Sequence, residues 1–217
     1  MKKICIAVDK SDQDFNLHHF TEQFPSSTMF KIGLEYFTKF GLQGIDHLSC
    51  EIFLDLKFFD IPNTVYHAVY NVCSIPNVCF LTIHASGGVE MIKSAVQARN
   101  DRNANAKIIC VTKLTSESAN IDEVLDLTQT SLNTGADGVV CSALEVQEIR
   151  KQFGLKPIII TPGIRPEWYS VKDDQVRVCT PKEAFGFGSN VLVIGRPVTE
   201  SSNPYSVLQK IIEDLGK

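Results

Sequence analysis

Leu54-Asp55-Leu56-Lys57-Phe58-Phe59-Asp60-Ile61-Pro62-Asn63-Thr64 sets two opposite charges two residues apart inside an apolar run. Residues two apart on a strand share a face, so Asp55 and Lys57 point one way and Leu54 and Leu56 the other. The leucines suit packing against helices. The charges suit the interior of a closed barrel at its mouth, where they need partners, because an unpaired buried charge is costly. Lys31 and Asp60 carry the signs that would complete such a network. A purely stabilising ion cluster would show the same Asp-x-Lys spacing. Buried ion pairs seldom stabilise better than apolar packing, however, and that turns a pair at a barrel mouth toward function.

Outward from this stretch the chain repeats one pattern, a short apolar run that ends in a polar or glycine-bearing tip. The runs are Ile4–Val8, Met29–Ile32, Ile52–Leu56, Val78–Ile83, Lys107–Val111, Gly138–Cys141, Pro157–Ile160 and Val191–Ile194. Between them Thr64–Val72, Gly88–Arg99, Ile121–Asn133 and Ala143–Phe153 carry apolar residues at helical spacing. Alternating buried strands and helices imply a parallel sheet covered by helices. Periodicity alone leaves two architectures, an open doubly wound sheet and a (β/α)8 TIM barrel. The polar residues separate them. Asp9, Lys31, Asp55, Lys57, His84, Thr112, Ser142, Gly163 and Arg196 all lie at or just past the C-terminal end of a run. In a barrel those ends converge on one mouth, whereas in an open sheet they spread along an edge. We therefore expect a single α/β domain over residues 1–217, a (β/α)8 barrel.

The bulk properties agree. The 217 residues are 44% hydrophobic and 21% charged with a formal net charge of −4, ordinary for a globular protein, so no polyanion partner is advertised. Neither an extended basic face nor a membrane-length apolar stretch is present, which argues against nucleic-acid and membrane partners. Seven cysteines occur singly, with no C-x-x-C pair. An odd number without a disulfide framework fits a reducing cytoplasm. Met1–Val8 moves from two lysines into a short apolar run ending at Asp9 and reads as a first strand rather than a leader.

A second constellation is Thr161-Pro162-Gly163-Ile164-Arg165-Pro166 together with Gly195-Arg196-Pro197. Glycine at the ends of the seventh and eighth strands lets backbone N–H groups approach a ligand, and the loops there are the habitual phosphate site of barrels. Arg196 or Arg165 could add a bidentate contact to phosphate oxygens. Each motif alone also describes an ordinary strand-to-helix turn. Together they point to a phosphorylated small molecule.

Taken in order, these residues resemble the orotidine 5'-phosphate decarboxylase family, bacterial type. The likeness runs from Asp9 to Arg196, and the Asp-x-Lys-x-x-Asp-Ile-Pro-Asn-Thr run is its most specific part. Ile83-His84-Ala85-Ser86-Gly87-Gly88, Val111-Thr112-Lys113-Leu114-Thr115-Ser116 and Val193-Ile194-Gly195-Arg196-Pro197 support it in the same order. The resemblance implies decarboxylation of orotidine 5'-phosphate to uridine 5'-phosphate, the last step of de novo UMP synthesis, without cofactor or metal. It makes Lys57 the proton donor, sets Asp55 beside the substrate carboxylate, and gives Asp9 and Lys31 to the ribose hydroxyls, Lys31 also belonging to the charged network. Asp60 and Thr64 would reach into the partner's site in a homodimer. Thr115 would contact the pyrimidine, Gln175 and Arg196 would clamp phosphate and pyrimidine, and Pro162, Gly163, Arg165 and Gly195 would shape the phosphate loops. The chain departs from the family pattern at Trp168 and Tyr169, where a more polar, glycine-bearing stretch is common, and at Ser86 and Lys113. His84 reads as a structural histidine.

Two other readings share parts of this pattern. Metal-dependent relatives such as 3-keto-L-gulonate 6-phosphate decarboxylase and hexulose phosphate synthase share the Asp-x-Lys-x-x-Asp core. Their pattern carries a glutamate where this chain has Lys31, and a cation there opposes a divalent metal. A catalytically silent nucleotide-binding barrel would keep the fold alone. The full set of network charges speaks for turnover.

Overall fold

The computed structural model describes residues 2–10, 15–116, 120–169 and 178–216. Eight parallel strands pair in chain order and close on themselves. They are β1 (Lys3–Val8), β2 (Met29–Ile32), β3 (Glu51–Phe58), β4 (Val78–His84), β5 (Lys107–Val111), β6 (Gly138–Val140), β7 (Ile158–Thr161) and β8 (Val191–Ile194). The seam is the pairing of β1 with β8, in which Cys5 stands opposite Val193. A closed barrel, not an open sheet, is therefore the fold.

Helices cover the barrel. They are α1 (Leu17–Thr21), α2 (Leu34–Phe40), α3 (Pro62–Val72), α4 (Gly88–Asp101), α5 (Ile121–Asn133), α6 (Val146–Phe153), α7 (Pro181–Phe187), α8 (Arg196–Thr199) and α9 (Pro204–Gly216). Their starts follow local chemistry. Pro62 occupies the first turn of α3, where its missing N–H costs nothing. Asn120 accepts from Asp122 N to open α5, and Thr180 with Glu183 forms a capping box ahead of α7. The stretch expected as one helix over Ala143–Phe153 begins instead as a single 3-10 turn at Ala143–Glu145. The Ser142–Glu145 capping box tightens that turn before α6 continues.

Alternation along the strands divides the core in two. Cys5, Met29, Phe53, Phe80, Ile109, Ile160, Val191 and Val193 fill the barrel, with the Phe53 and Phe80 rings edge to face at 5.9 Å. The other cluster lies between barrel and helices and includes Leu54, Leu56, Leu81 and Ile83. Leu54 and Leu56 thus face the helices, as their spacing predicts. One strand breaks the regular ladder. Leu54 pairs with Leu81 and the next pair is Phe58 with Ile83, so β3 spends four residues where β4 spends two. The bulge contains Asp55 and Lys57.

Candidate active site

The C-terminal ends of the strands open into a cavity of about 550 Å³. Phe53, Val111, Val140 and Val193 give it an apolar floor, and charged side chains from β2, β3 and the residues just past β1 line one wall. Placing the polar groups on strand ends is what makes them converge, since the C-terminal ends of the strands open on the same mouth.

On that wall four charges alternate in sign. Lys31 Nζ lies 2.9 Å from Asp9 Oδ2 and 3.5 Å from Asp55 Oδ2, and Lys57 Nζ lies 2.8 Å from the same Asp55 oxygen. Asp55 is buried at 7% exposure and Lys31 at 9%. Burial alone would push the Asp55 carboxyl up. The charges of Lys31 and Lys57, with hydrogen bonds from Lys57 and Thr82, outweigh that and hold it below the ordinary carboxylate value. Lys31 shows the mirror case. Desolvation works against its ammonium, yet the charges of Asp55 and Asp9 raise its pKa. Both groups are therefore ionised at neutral pH.

The bulge shapes this pair. Lys57 sits at φ +50°, in the left-handed region that a side chain with a β-carbon adopts at a cost. Its backbone N–H donates to Thr82 Oγ1 at 2.9 Å, and that hydroxyl donates to Asp55 Oδ1 at 2.9 Å. Close packing extends to Gly33, where an added β-carbon would stand 1.9 Å from Asp9 Oδ1.

Across the cavity lie Pro162, Arg165, Gly195 and Arg196. The neck of the loop after β7 is a small parallel bridge between Ile164 and Cys179. Arg165 N donates to Cys179 O at 2.9 Å, and Cys179 N donates to Gly163 O at 3.3 Å. Gly163 holds φ +73° at this neck. Arg165 lies over the Tyr169 ring with its guanidinium carbon 5.9 Å from the centroid. Gly195 precedes α8, whose first residue is Arg196, and Lys10 spans to this side by donating to Thr199 O at 2.9 Å.

A family model described as orotidine 5'-phosphate decarboxylase / HUMPS family matches residues 2–211. The chain belongs to that family. Among its relatives, orotidine 5'-phosphate decarboxylase of Pseudoalteromonas translucida is 41% identical, covering 99% of this chain and 97% of the relative. The enzyme of the same name from Psychromonas ingrahamii is 40% identical over 98% and 97%. The crystal structure of orotidine 5'-phosphate decarboxylase from Lactobacillus acidophilus superposes with a TM-score of 0.86 at 32% identity over the whole of both chains.

The fold of a family member thus gathers Asp9, Lys31, Asp55, Lys57, Thr115, Pro162, Arg165, Gly195 and Arg196 around one cavity, although they are scattered over most of the sequence. Gly163 lies just behind, in the loop neck. Gln175 falls outside the described residues. Asp60 and Thr64 behave differently from the rest. Both are exposed, and Asp60 accepts from the N–H of Ile61 at 2.7 Å. The carboxylate of Asp60 therefore joins no ion pair with Lys57 of its own chain among the described residues. His84 stands outside the cavity with its ring edge-on to Phe59 at 5.8 Å. Sequence reasoning missed Lys10, Glu35 and Cys141 in the cavity wall, and Thr82 behind it. Strand alternation was the available signal for Thr82, since it lies two residues beyond the inward-facing Phe80.

Proposed function

We propose that this chain is a carboxy-lyase that converts orotidine 5'-phosphate to uridine 5'-phosphate and carbon dioxide, closing de novo UMP synthesis. The single observation that carries this reading is the alternating Asp9–Lys31–Asp55–Lys57 array at the mouth of a phosphate-loop barrel. Loss of carbon dioxide from C6 leaves an electron pair in the plane of the pyrimidine ring, where the π-system cannot delocalise it. Stabilisation must then be electrostatic. The Lys57 ammonium, fixed by Asp55, supplies preorganised positive charge where the negative charge develops, and afterwards delivers the proton to C6. Asp9 and Lys31 bind the ribose hydroxyls, Thr115 the pyrimidine, and Pro162, Gly163, Arg165, Gln175, Gly195 and Arg196 the phosphate end. Binding energy gathered at that non-reacting phosphate organises the reacting end.

Neither metal nor cofactor enters this scheme. The two ammonium groups beside Asp55 oppose a divalent ion in the same place. The working unit is a homodimer of single-domain chains spanning residues 1–217, with Asp60 and Thr64 of each chain entering the other's site. A cytoplasmic setting is supported by seven free thiols, six of them buried. No described helix is long and apolar enough to cross a membrane. Neither nucleic acid nor membrane is a partner in this reading.

The test is the ultraviolet change on mixing the protein with orotidine 5'-phosphate in the presence of a chelator. Conversion to uridine 5'-phosphate supports the metal-free reaction, and absence of conversion by the folded protein removes it. Lys57→Ala is expected to lose nearly all turnover while still binding uridine 5'-phosphate. Parent-like turnover in that variant would remove the proton-donor role.

A further inference from the structure

We propose that Thr82 is a positioning residue that locks the Asp55–Lys57 pair across the bulge between β3 and β4. This rests on the reading of Lys57 as the proton donor.

Thr82 is fully buried and lies between Leu81 and Ile83, the two β4 residues whose partners on β3 flank the bulge. It stands opposite the part of β3 that the regular ladder does not pair. There the Lys57 N–H needs an acceptor from elsewhere, because a buried backbone donor left open is destabilising. The Thr82 hydroxyl supplies one at 2.9 Å and passes its own hydrogen to Asp55 Oδ1, also at 2.9 Å. One hydroxyl thus holds both ends of the Asp55-Leu56-Lys57 tripeptide that carries the charges.

Two consequences follow for the site. The left-handed backbone at Lys57, φ +50°, persists only where its surroundings fix it, and Thr82 is the side chain bonded to that N–H. The two carboxylate oxygens of Asp55 are also given separate tasks. Oδ1 takes Thr82, which sets the rotation of the carboxylate, and Oδ2 is left to face Lys57 at 2.8 Å and Lys31 at 3.5 Å. Thr82 itself does not line the cavity and touches no reacting atom. Its effect on turnover passes through Lys57.

Thr82→Val keeps the shape and removes the hydroxyl, and Thr82→Ser keeps the hydroxyl and removes the methyl. Steady-state kinetics with orotidine 5'-phosphate, binding of uridine 5'-phosphate and thermal unfolding are to be measured for both, beside Lys57→Ala. Thr82→Val is expected to lower kcat by about 10- to 100-fold, with KM and product affinity within about threefold of the parent. Thr82→Ser is expected to recover kcat to within about threefold. A folded Thr82→Val with parent-like kcat overturns the proposal, and so does a Thr82→Ser that falls as far as Thr82→Val, since packing of the methyl would then be the cause. Should Thr82→Val not yield folded protein, Thr82→Ala takes its place with the same two outcomes. Parent-like turnover in Lys57→Ala would remove the underlying reading together with this one, whereas an inactive Lys57→Ala beside a parent-like Thr82→Val removes the role of Thr82 alone.

Discussion

A β-carbon at Gly33 would stand 1.9 Å from Asp9 Oδ1 and 3.1 Å from Lys31 Nζ, so the first two members of the charged array depend on a residue that carries no side chain. Gly33→Ala must push Asp9 aside. It is expected to raise KM for orotidine 5'-phosphate by about tenfold with thermal stability nearly unchanged, and an unaltered KM would show that Asp9 does not hold substrate. Asp55 makes a different prediction at the same scale. Desolvation raises its pKa, but Lys31, Lys57 and the hydrogen bonds from Lys57 and Thr82 hold it below the ordinary carboxylate value. A lowered folded pKa means that the ionised carboxylate stabilises the fold above the unfolded value and that this contribution is lost as pH falls through the folded value. The stability advantage of the parent over Asp55→Asn, from urea unfolding, should be fullest above about pH 5 and shrink below the unfolded value. An advantage that stays constant across that range would show that the charge contributes nothing to folding.

Strand spacing explains why some elements were legible and others were not. β2, β5 and β8 match the expected apolar runs, and α5 the expected helical stretch, residue for residue, because each is a plain segment with its hydrophobic period intact. β3 runs two residues past its expected end, to Phe58, and nothing in its composition signals the bulge. Lysine is no marker for the left-handed region, so the conformation of Lys57 is imposed by the partners of its backbone and side chain rather than by local propensity. The five-residue α1 and four-residue α8 are too short to show a helical period, and α7 is little longer. In the site the charges were legible from spacing and resemblance, whereas for Thr82 alternation indicates only the face it shares with Phe80 and gives no sign of what lies across from it. Close pairing also constrains strands directly. At Gly138 in β6 an added β-carbon would come within 2.0 Å of the backbone oxygen of Ile158 in β7. Backbone cannot step aside as a flexible side chain can, so Gly138→Ala should cost about 2–4 kcal/mol and lower Tm by roughly 5–15 °C. Calorimetry or thermal circular dichroism would check this, and an unchanged Tm would mean that β6 and β7 part at little cost.

On the scale of the whole molecule, Asp60, the member of the expected charged network that joins no ion pair among the described residues, is also the one that lies exposed on the surface. Phe59 and Ile61, at 62% and 67% exposure, flank the exposed Asp60, and Thr64 is exposed one turn further on in α3. In the proposed homodimer these large apolar side chains would meet a second copy related by a two-fold axis, and each Asp60 would serve the other chain's Lys57. That arrangement has a consequence that a site built within one chain does not share. In a hybrid of a Lys57→Ala chain with an Asp60→Ala chain, one site holds both substitutions and the other holds neither. Two separately inactive variants, unfolded together and refolded as an equimolar mixture, should therefore recover about a quarter of the parent activity, because half of the randomly formed dimers are hybrids with one intact site each. If Asp60 instead acts on the Lys57 of its own chain, every site in the mixture carries one substitution and no activity returns.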